Sequence, residues 1–258
     1  MAVKIGTSGW QYPHWRETFY PEDLPTSRWL EFYARSFDTV EVNNVFYRLP
    51  AADVFERWRQ ATPDHFEMAV KASGYLTHNK RLREPSEPIA RFVERALGLG
   101  EKLGPVLLQL PPTMRAEPGR LDEALACFPD GVRVAVEARH DSWDRDEVWE
   151  VLAAHGAAWC VADAPWRRWP LVPTADWGYL RFHEGVASPR PCYGRRALGT
   201  WAERIARTWP ASADVYAFFN NDTCACAPHD ARRFAGLCRR AGLQTTRVPG
   251  RGAVTLRP

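Results

Sequence analysis

The sequence predicts a single (β/α)8 TIM barrel over residues 1–258, and three observations carry that prediction. The length of 258 residues is close to the roughly 250 of an α/β barrel, which ordinarily forms one domain. Eight short β-branched or apolar runs punctuate the chain, and most are separated by longer segments of helical periodicity. Polar residues stand at the C-terminal ends of those runs, where barrels place their sites. A doubly wound open sheet is the main rival. It would want a glycine-rich phosphate turn after an early strand, and GTSGW at residues 6–10 is a poor version of one.

The runs, in order, are VKIGTSG from Val3, TVEVNN from Thr39, FEMAVKAS from Phe66 and PVLLQLPP from Pro105, then VRVAVEAR from Val132, AWCVAD from Ala158, WGYLRFH from Trp177 and DVYAFFNN from Asp214. Their lengths suit strands. Thr26 or Ser27 could cap the first helix, in which Trp29, Phe32, Tyr33 and Phe37 share a face. Asp53 opens VFERWRQ, and Ser86 with Pro88 opens a helix that a run of glycines stops. Leu121, Leu125 and Phe128 form the next stripe, and Asp144 leads DEVWEVLAAHG. Leu198, Trp201, Ile205 and Trp209 form another stripe, followed by Ala231, Phe234, Leu237 and Cys238. Only PWRRWPLVPTAD, between the sixth and seventh strands, reads as non-helical.

Composition narrows the class. Hydrophobic residues make up 45% and charged residues 25%, an ordinary globular balance. A net charge of +3 does not by itself imply a polyanionic partner, and acids are interleaved with the bases, so no basic stripe stands out. No window is long and apolar enough for a membrane span, and no signal peptide is visible. A cytoplasmic protein with six reduced cysteines is expected. Cys224, Cys226 and His229 could hold a metal, but a zinc site usually brings two spaced ligand pairs. Only Lys4, Lys71, Lys80 and Lys102 are lysines among 34 basic residues. Composition bias accounts for that ratio, yet it makes a lysine at a strand end noteworthy.

Strand alternation sets the register. If Val40 and Val42 pack outward on helices, Glu41 and Asn43 face the lumen. The same reasoning turns Lys71, Gln109, Glu137, Arg139, Arg181 and His183 inward, with Asp163 and Asn220 ending the sixth and eighth strands. Burying so many polar groups costs energy unless they are paired or used. A self-satisfied network is one reading: Glu137 with Arg139 and Arg181, Glu41 with Lys71. A small-molecule site is the other. In it Glu41 or Glu137 is the general base and Lys71 or His183 the acid partner. Arg139 and Arg181 clamp an anion, Asn43, Gln109 and Asn220 contact hydroxyls, and Asp163 is a further substrate-binding candidate. The first loop, with Trp10, Tyr12, His14, Trp15, Phe19 and Tyr20, and the second, with Phe46 and Tyr47, would wall it.

Three alternatives stand beside this reading. Glu137, Asp163, His183 and Asp222 could hold Mn²⁺ or Mg²⁺, as in metal-dependent sugar isomerases of barrel fold, although Arg139 and Arg181 would compete for the carboxylates. The arginines and tryptophans could serve nucleic acid. A non-catalytic binding barrel is the third. Neither a committed metal nor a membrane or nucleic-acid partner is expected. A small anionic or sugar-like metabolite is.

The motifs GTSGW, YPHW, FDTVEVNNVFYRLP, AVKASGYLTH, GPVLLQLPP, VAVEARHDSW, RFHE and FNND occur in this order. Together they resemble the YecE-like family, domain of unknown function 72, from Ile5 to about Leu237. The resemblance implies a TIM barrel. Its shared residues fall here on Thr7, Gly9, Trp10, His14, Trp15, Glu41, Asn43, Phe46, Tyr47, Lys71, Gln109, Pro111, Glu137, Arg139, Trp143, Asp163, Arg181, His183, Asn220 and Asn221. The family's likeness to sugar isomerases is an analogy without a substrate. This chain departs from the pattern at Cys224–Ala225–Cys226 and at Ala138, and neither position belongs to the inward ring.

Overall fold

The computed structural model describes residues 2–165 and 167–256. Its strands are β1 (Ala2–Thr7), β2 (Thr39–Val42), β3 (Glu67–Lys71), β4 (Leu103–Gln109), β5 (Val134–Glu137), β6 (Ala158–Ala164), β7 (Arg167–Arg168), β8 (Gly178–Phe182), β9 (Asp214–Phe219) and β10 (Gln244–Thr245). Nine of them form a curled sheet of parallel pairs, in the order β10-β1-β9-β8-β6-β5-β4-β3-β2. β7 lies antiparallel on β6. All eight anticipated runs are in the sheet; β7 and β10, two residues each, are additions.

The curl brings β1 and β2 together through a single parallel bridge, Ser8 to Glu41. Here a tyrosine hydroxyl does part of the work of a ladder. Tyr33 receives the Thr7 N–H at 3.0 Å and donates to the Thr39 carbonyl at 3.2 Å. The strands approach so closely that a Cβ on Gly6 would stand 2.4 Å from the Thr39 oxygen. Glycine is required there for space.

The helices are α1 (Trp29–Ser36), α2 (Asn44–Tyr47), α3 (Ala52–Gln60), α4 (Ser86–Ala96), α5 (Pro118–Ala126), α6 (Asp146–Ala154), α7 (Arg195–Thr208) and α8 (Cys226–Arg240). Their starts shift from the expected caps. Thr26 and Ser27 sit in a 3-10 turn before α1, and neither caps it with its side chain. Asp53 lies in the first turn of α3 and pairs with Arg57 at 2.7 Å instead. α4 gives way to a 3-10 segment in which Gly100 takes φ 55°, a conformation glycine adopts without penalty. The second strand is shorter than expected, because Asn43 already begins the turn into α2.

Alternation divides the apolar residues into two clusters. Val40, Val42, Met68, Val70, Val106, Leu108, Val134, Val136, Leu180 and Phe182 pack with helix residues such as Ile89, Phe92, Leu121 and Phe234. Burying each such side chain fully is worth roughly 1.5–3 kcal/mol. On the concave side Ala69, Leu107, Ala135, Cys160, Tyr179, Tyr216 and Phe218 form a second core. Below it, Lys4, Glu67 and Tyr216 close the N-terminal ends, with Tyr216 donating to Glu67 at 2.6 Å and Lys4 3.1 Å from Asp214.

The expected six free thiols are corrected. Cys192 and Cys226 are disulfide-bonded, with Cα atoms 4.9 Å apart, and Cys127, Cys160, Cys224 and Cys238 are free. The pair is 34 residues apart in the chain, and only the fold-back of the loop after β8 onto the start of α8 unites it. Among the described residues no helix is long and apolar enough to cross a membrane.

Candidate functional site

On β3, β4, β5 and β8 the inner strand face turns polar two residues beyond an apolar residue of the inner core. Lys71 follows Ala69, Gln109 follows Leu107, Glu137 follows Ala135, and Arg181 follows Tyr179. Period-two alternation thus stacks a charged layer on an apolar plug at the C-terminal ends of the strands.

Arg181 is the hub of this layer. It is 2% exposed and donates through Nη1 to Glu137 at 2.5 Å and through Nη2 to Glu41 at 2.7 Å. The second Glu41 oxygen accepts from the Tyr179 hydroxyl at 2.6 Å. Glu137 also accepts from Gln109 at 3.0 Å and from Arg139 at 3.1 Å, and His183 Nε2 stands 3.2 Å away. Burial alone would raise the Glu137 pKa. Arg181, His183 and Arg139 overcome it and hold the carboxyl well below the usual range. His183 Nδ1 meets Asn220 Nδ2 at 3.0 Å. The amide nitrogen can only donate, so Nδ1 is the acceptor and the neutral ring carries its proton on Nε2, toward Glu137.

Lys71 is held differently. Its ammonium donates to Gln109 Oε1 at 2.7 Å and lies 3.9 Å above the Phe46 ring. No ion pair joins it to a carboxylate within 4.0 Å among the described residues. Burial, and next Arg181, lower its pKa to about 8 against the partial opposition of Glu137 and Glu41. Gln109 therefore couples an amine to Glu137 through one amide: its oxygen accepts from Lys71 while its nitrogen donates to the carboxylate.

Two cavities open around this layer. One, of about 330 Å³, is lined by Glu137, Arg139, His183, Ala162 and Trp169. The other, of about 660 Å³, is lined by Phe46, Tyr47, Ser73, Tyr75 and His78. Lys71 is not among the lining residues of either; it is linked to the first through Gln109, which donates to Glu137, and to the second through the Phe46 ring. Arg139 uses only Nε on Glu137 and has a 38% exposed side chain, so it can still meet an anion. Asn43 Oδ1 is buried without a donor among the described residues.

Several expected site residues lie elsewhere or are already occupied. Asp163 points out of the lumen and accepts from Trp201 of α7 at 2.9 Å. The reason is alternation: Ala158, Cys160 and Ala162 take the inner positions of β6, which leaves 159, 161 and 163 outside. Trp10 is 3% exposed and packs edge-on against Trp58 of α3, so it belongs to the core. Arg181 is 2% exposed and uses all three nitrogens on Glu41 and Glu137, so it is not placed to clamp an incoming anion. His14 binds the Asp222 carbonyl at 3.0 Å at the rim. Tyr47 is 85% exposed on the wall of the larger cavity. The four residues of the metal reading do not converge, since Asp163 is outside and Asp222 sits beside His14.

Tyr12 and Phe46, aromatics of the first and second loops, reach the site as expected, whereas His78, Trp169 and Tyr179 join it without having been singled out. His78, in the turn after β3, stacks edge-on to Phe46 at 4.8 Å, and its pKa is lowered by burial and by Lys71. The phrase GYLTH carries no periodicity that marks it. Tyr12 donates to the Ser8 carbonyl at 2.6 Å, and its hydroxyl pKa is raised by burial, Asp222 and Glu41. Trp169 comes from the link that reads as featureless.

A further cavity, of about 970 Å³, lies away from this chemistry, between α8 and the following tail. Arg195, Arg232, Arg233, Arg239, Arg240, Arg247 and Arg251 line it, and no acid does. The basic surface that looks dispersed along the chain is gathered in space.

The model of a protein family of unknown function, DUF72, matches residues 4–252. The UPF0759 protein YecE of Escherichia coli K12 is 27% identical over 253 residues, covering 88% of this chain and 89% of that one. The UPF0759 protein YunF of Bacillus subtilis is 24% identical over 268 residues, covering 91% and 94%. A crystal structure of the Thermotoga maritima protein TM1631 of the same family superposes with a TM-score of 0.79 at 30% identity, covering 93% of this chain and all of that one. The Enterococcus faecalis family protein EF0366 shares the fold, with a TM-score of 0.74 at 19% identity, covering 92% of this chain and 98% of that one.

Proposed function

The chain belongs to the DUF72 family of proteins of unknown function, and from its site we propose an enzyme that moves a proton on a small anionic or sugar-like metabolite, with Lys71 as the acid–base group. The observation that supports this is the setting of Lys71: an amide and a ring hold its amine, in a layer where both carboxylates are bound by Arg181. An arginine would neutralise Glu41 or Glu137 equally well. A lysine near pKa 8 exchanges its proton near neutral pH, which arginine does not.

The remaining roles follow from what each group has left to offer. Glu41 and Glu137 have their oxygens engaged and orient the layer rather than abstract protons. A paired-carboxylate hydrolase is disfavoured for the same reason, because the Arg181 guanidinium bridges the two acids where a water would have to stand. His183, which lines the smaller cavity and contacts both Glu137 and Asn220, is the partner that carries a second proton. Arg139 meets the anionic group; Asn43 and Asn220 meet hydroxyls. We further infer that the sheet closes as a complete eight-stranded barrel, with Tyr33 completing the β1–β2 seam, and that the enzyme works in the cytoplasm.

Thermal-shift screening against sugar acids and phosphosugars tests the reading. A stabilising ligand for the parent that Arg139→Ala no longer binds is the expected result. Ligands that bind both equally would place the site elsewhere.

A second reading has one observation behind it. The arginine groove suits a polyanion, because guanidinium forks match phosphate oxygens and no acid lines it, although Arg247 is already paired with Asp38 at 2.9 Å. The groove has no aromatic residue for base stacking, so backbone contact with nucleic acid is the form this reading takes. Binding of a generic oligonucleotide should then weaken steeply with salt, and Arg239→Ala with Arg240→Ala should lower the slope by about two charges.

A further inference from the structure

The disulfide between Cys192 and Cys226 stands in a cluster of metal-ligating groups that the proposed chemistry does not use. Cys192 Sγ, a ring nitrogen of His229 and a carboxylate oxygen of Asp230 all lie within 4.8 Å of one another. Cys226 opens α8, and His229 and Asp230 follow it by three and four residues, so the three share one helix face. These residues are buried: Cys226 and Asp230 are 0%, Cys192 2% and His229 8% exposed. Cys192 arrives on the loop after β8, which folds back tightly; a Cβ on Gly185 would stand 2.2 Å from the Cys192 carbonyl. Asp230 is fixed in turn, accepting from the Tyr193 N–H at 2.7 Å and from Asn221 at 2.9 Å, with its other oxygen 3.2 Å from His229 Nδ1.

We propose that Cys192, Cys226 and His229, with Asp230, form in the dithiol state a site for a borderline-soft divalent metal of the zinc class, and that the disulfide is the closed, oxidised form of that site. Two thiolates and an imidazole are the donors such a cation prefers in tetrahedral geometry. Asp230 either completes the set or orients the His229 ring as an outer carboxylate does. Cys224, the free cysteine two residues before Cys226, is outside the cluster.

Opening the site balances as an exchange. A dithiol reductant transfers two electrons and two protons to the Cys192–Cys226 bond and leaves as its own disulfide. The incoming cation then displaces both thiol protons to solvent. The cluster abuts the candidate active site, because Asn221, which holds Asp230, follows Asn220, which holds His183.

Cobalt(II) uptake tests this. Protein reduced with a dithiol and desalted under inert gas is expected to take up one Co²⁺ per chain, with the near-ultraviolet absorption of thiolate–cobalt charge transfer, and Zn²⁺ should displace it. The oxidised parent should take up none. Cys192→Ser and His229→Gln should each weaken uptake by about tenfold or more, while Cys224→Ser should leave it unchanged. The comparison of the two redox forms needs no variant, so poor folding of one would not spoil it. Reduced protein that takes up no cobalt, uptake equal in both redox forms, or uptake that survives both ligand substitutions would overturn the proposal.

Discussion

At the scale of single residues, Arg181 and Lys71 illustrate opposite uses of a buried cation. Arg181 gives a hydrogen bond from each of its three nitrogens to Glu41 or Glu137. Removing one partner of a buried pair typically costs about 3–5 kcal/mol, because the other charge stays behind uncompensated. Arg181→Met leaves two, so urea unfolding should show a loss at the upper end of that range or a chain that does not fold. Lys71 is under-neutralised instead. Lys71→Arg is expected to keep the fold and to lower turnover by about 10²–10⁴ once a substrate is found, the usual size of an acid–base contribution. A Lys71→Arg enzyme within a few fold of the parent would reduce Lys71 to a counter-ion.

The elements explain what could be read beforehand and what could not. Outward valines and leucines at every second position fix which side chains enter the lumen, and Glu41, Lys71, Gln109, Glu137, Arg181 and His183 all lie where alternation puts them. Asp163 went astray because AWCVAD has apolar residues on both faces, so its pattern does not say which is inner. Trp10 shows the limit for loops: an aromatic near the mouth packs as readily on a helix as on a ligand. Trp169 and His78 come from segments with no period, and their positions follow only from tertiary contacts. The Cys192–Cys226 pair is invisible for the same reason. The β1–β2 seam gives an element-scale test. Gly6→Ala drives a methyl into the Thr39 carbonyl and should cost about 1–3 kcal/mol or more, as overpacking does. Unchanged thermal stability would mean that the two strands stand further apart.

Across the whole molecule the buried charges make stability depend on pH in two windows. Glu137 has a depressed pKa in the folded state, so it stabilises the fold above the ordinary value of about 4.3 and progressively less as pH falls below it. Lys71, near 8 in the fold against about 10.4 in an unfolded chain, works in the alkaline window. Between those values the unfolded chain binds more protons, so the Lys71 contribution becomes more favourable as pH rises, by at most about 1.4 kcal/mol per unit. Lys71→Met removes that dependence. Its stability advantage over the parent should be greatest below pH 8 and shrink toward pH 10, as measured by denaturant unfolding at each pH. A gap that stays constant would indicate an amine with an ordinary pKa.

The most direct test of the central claim is heteronuclear NMR titration of the lysine side chains, with the Lys71 resonance assigned by its loss in Lys71→Arg. Four lysines make the spectrum simple. The expected result is a Lys71 amine that titrates with a midpoint of about 8. A Lys71 midpoint at the ordinary value of about 10.4 would contradict the account, because an amine protonated throughout the neutral range cannot serve as the proton-transfer group proposed here.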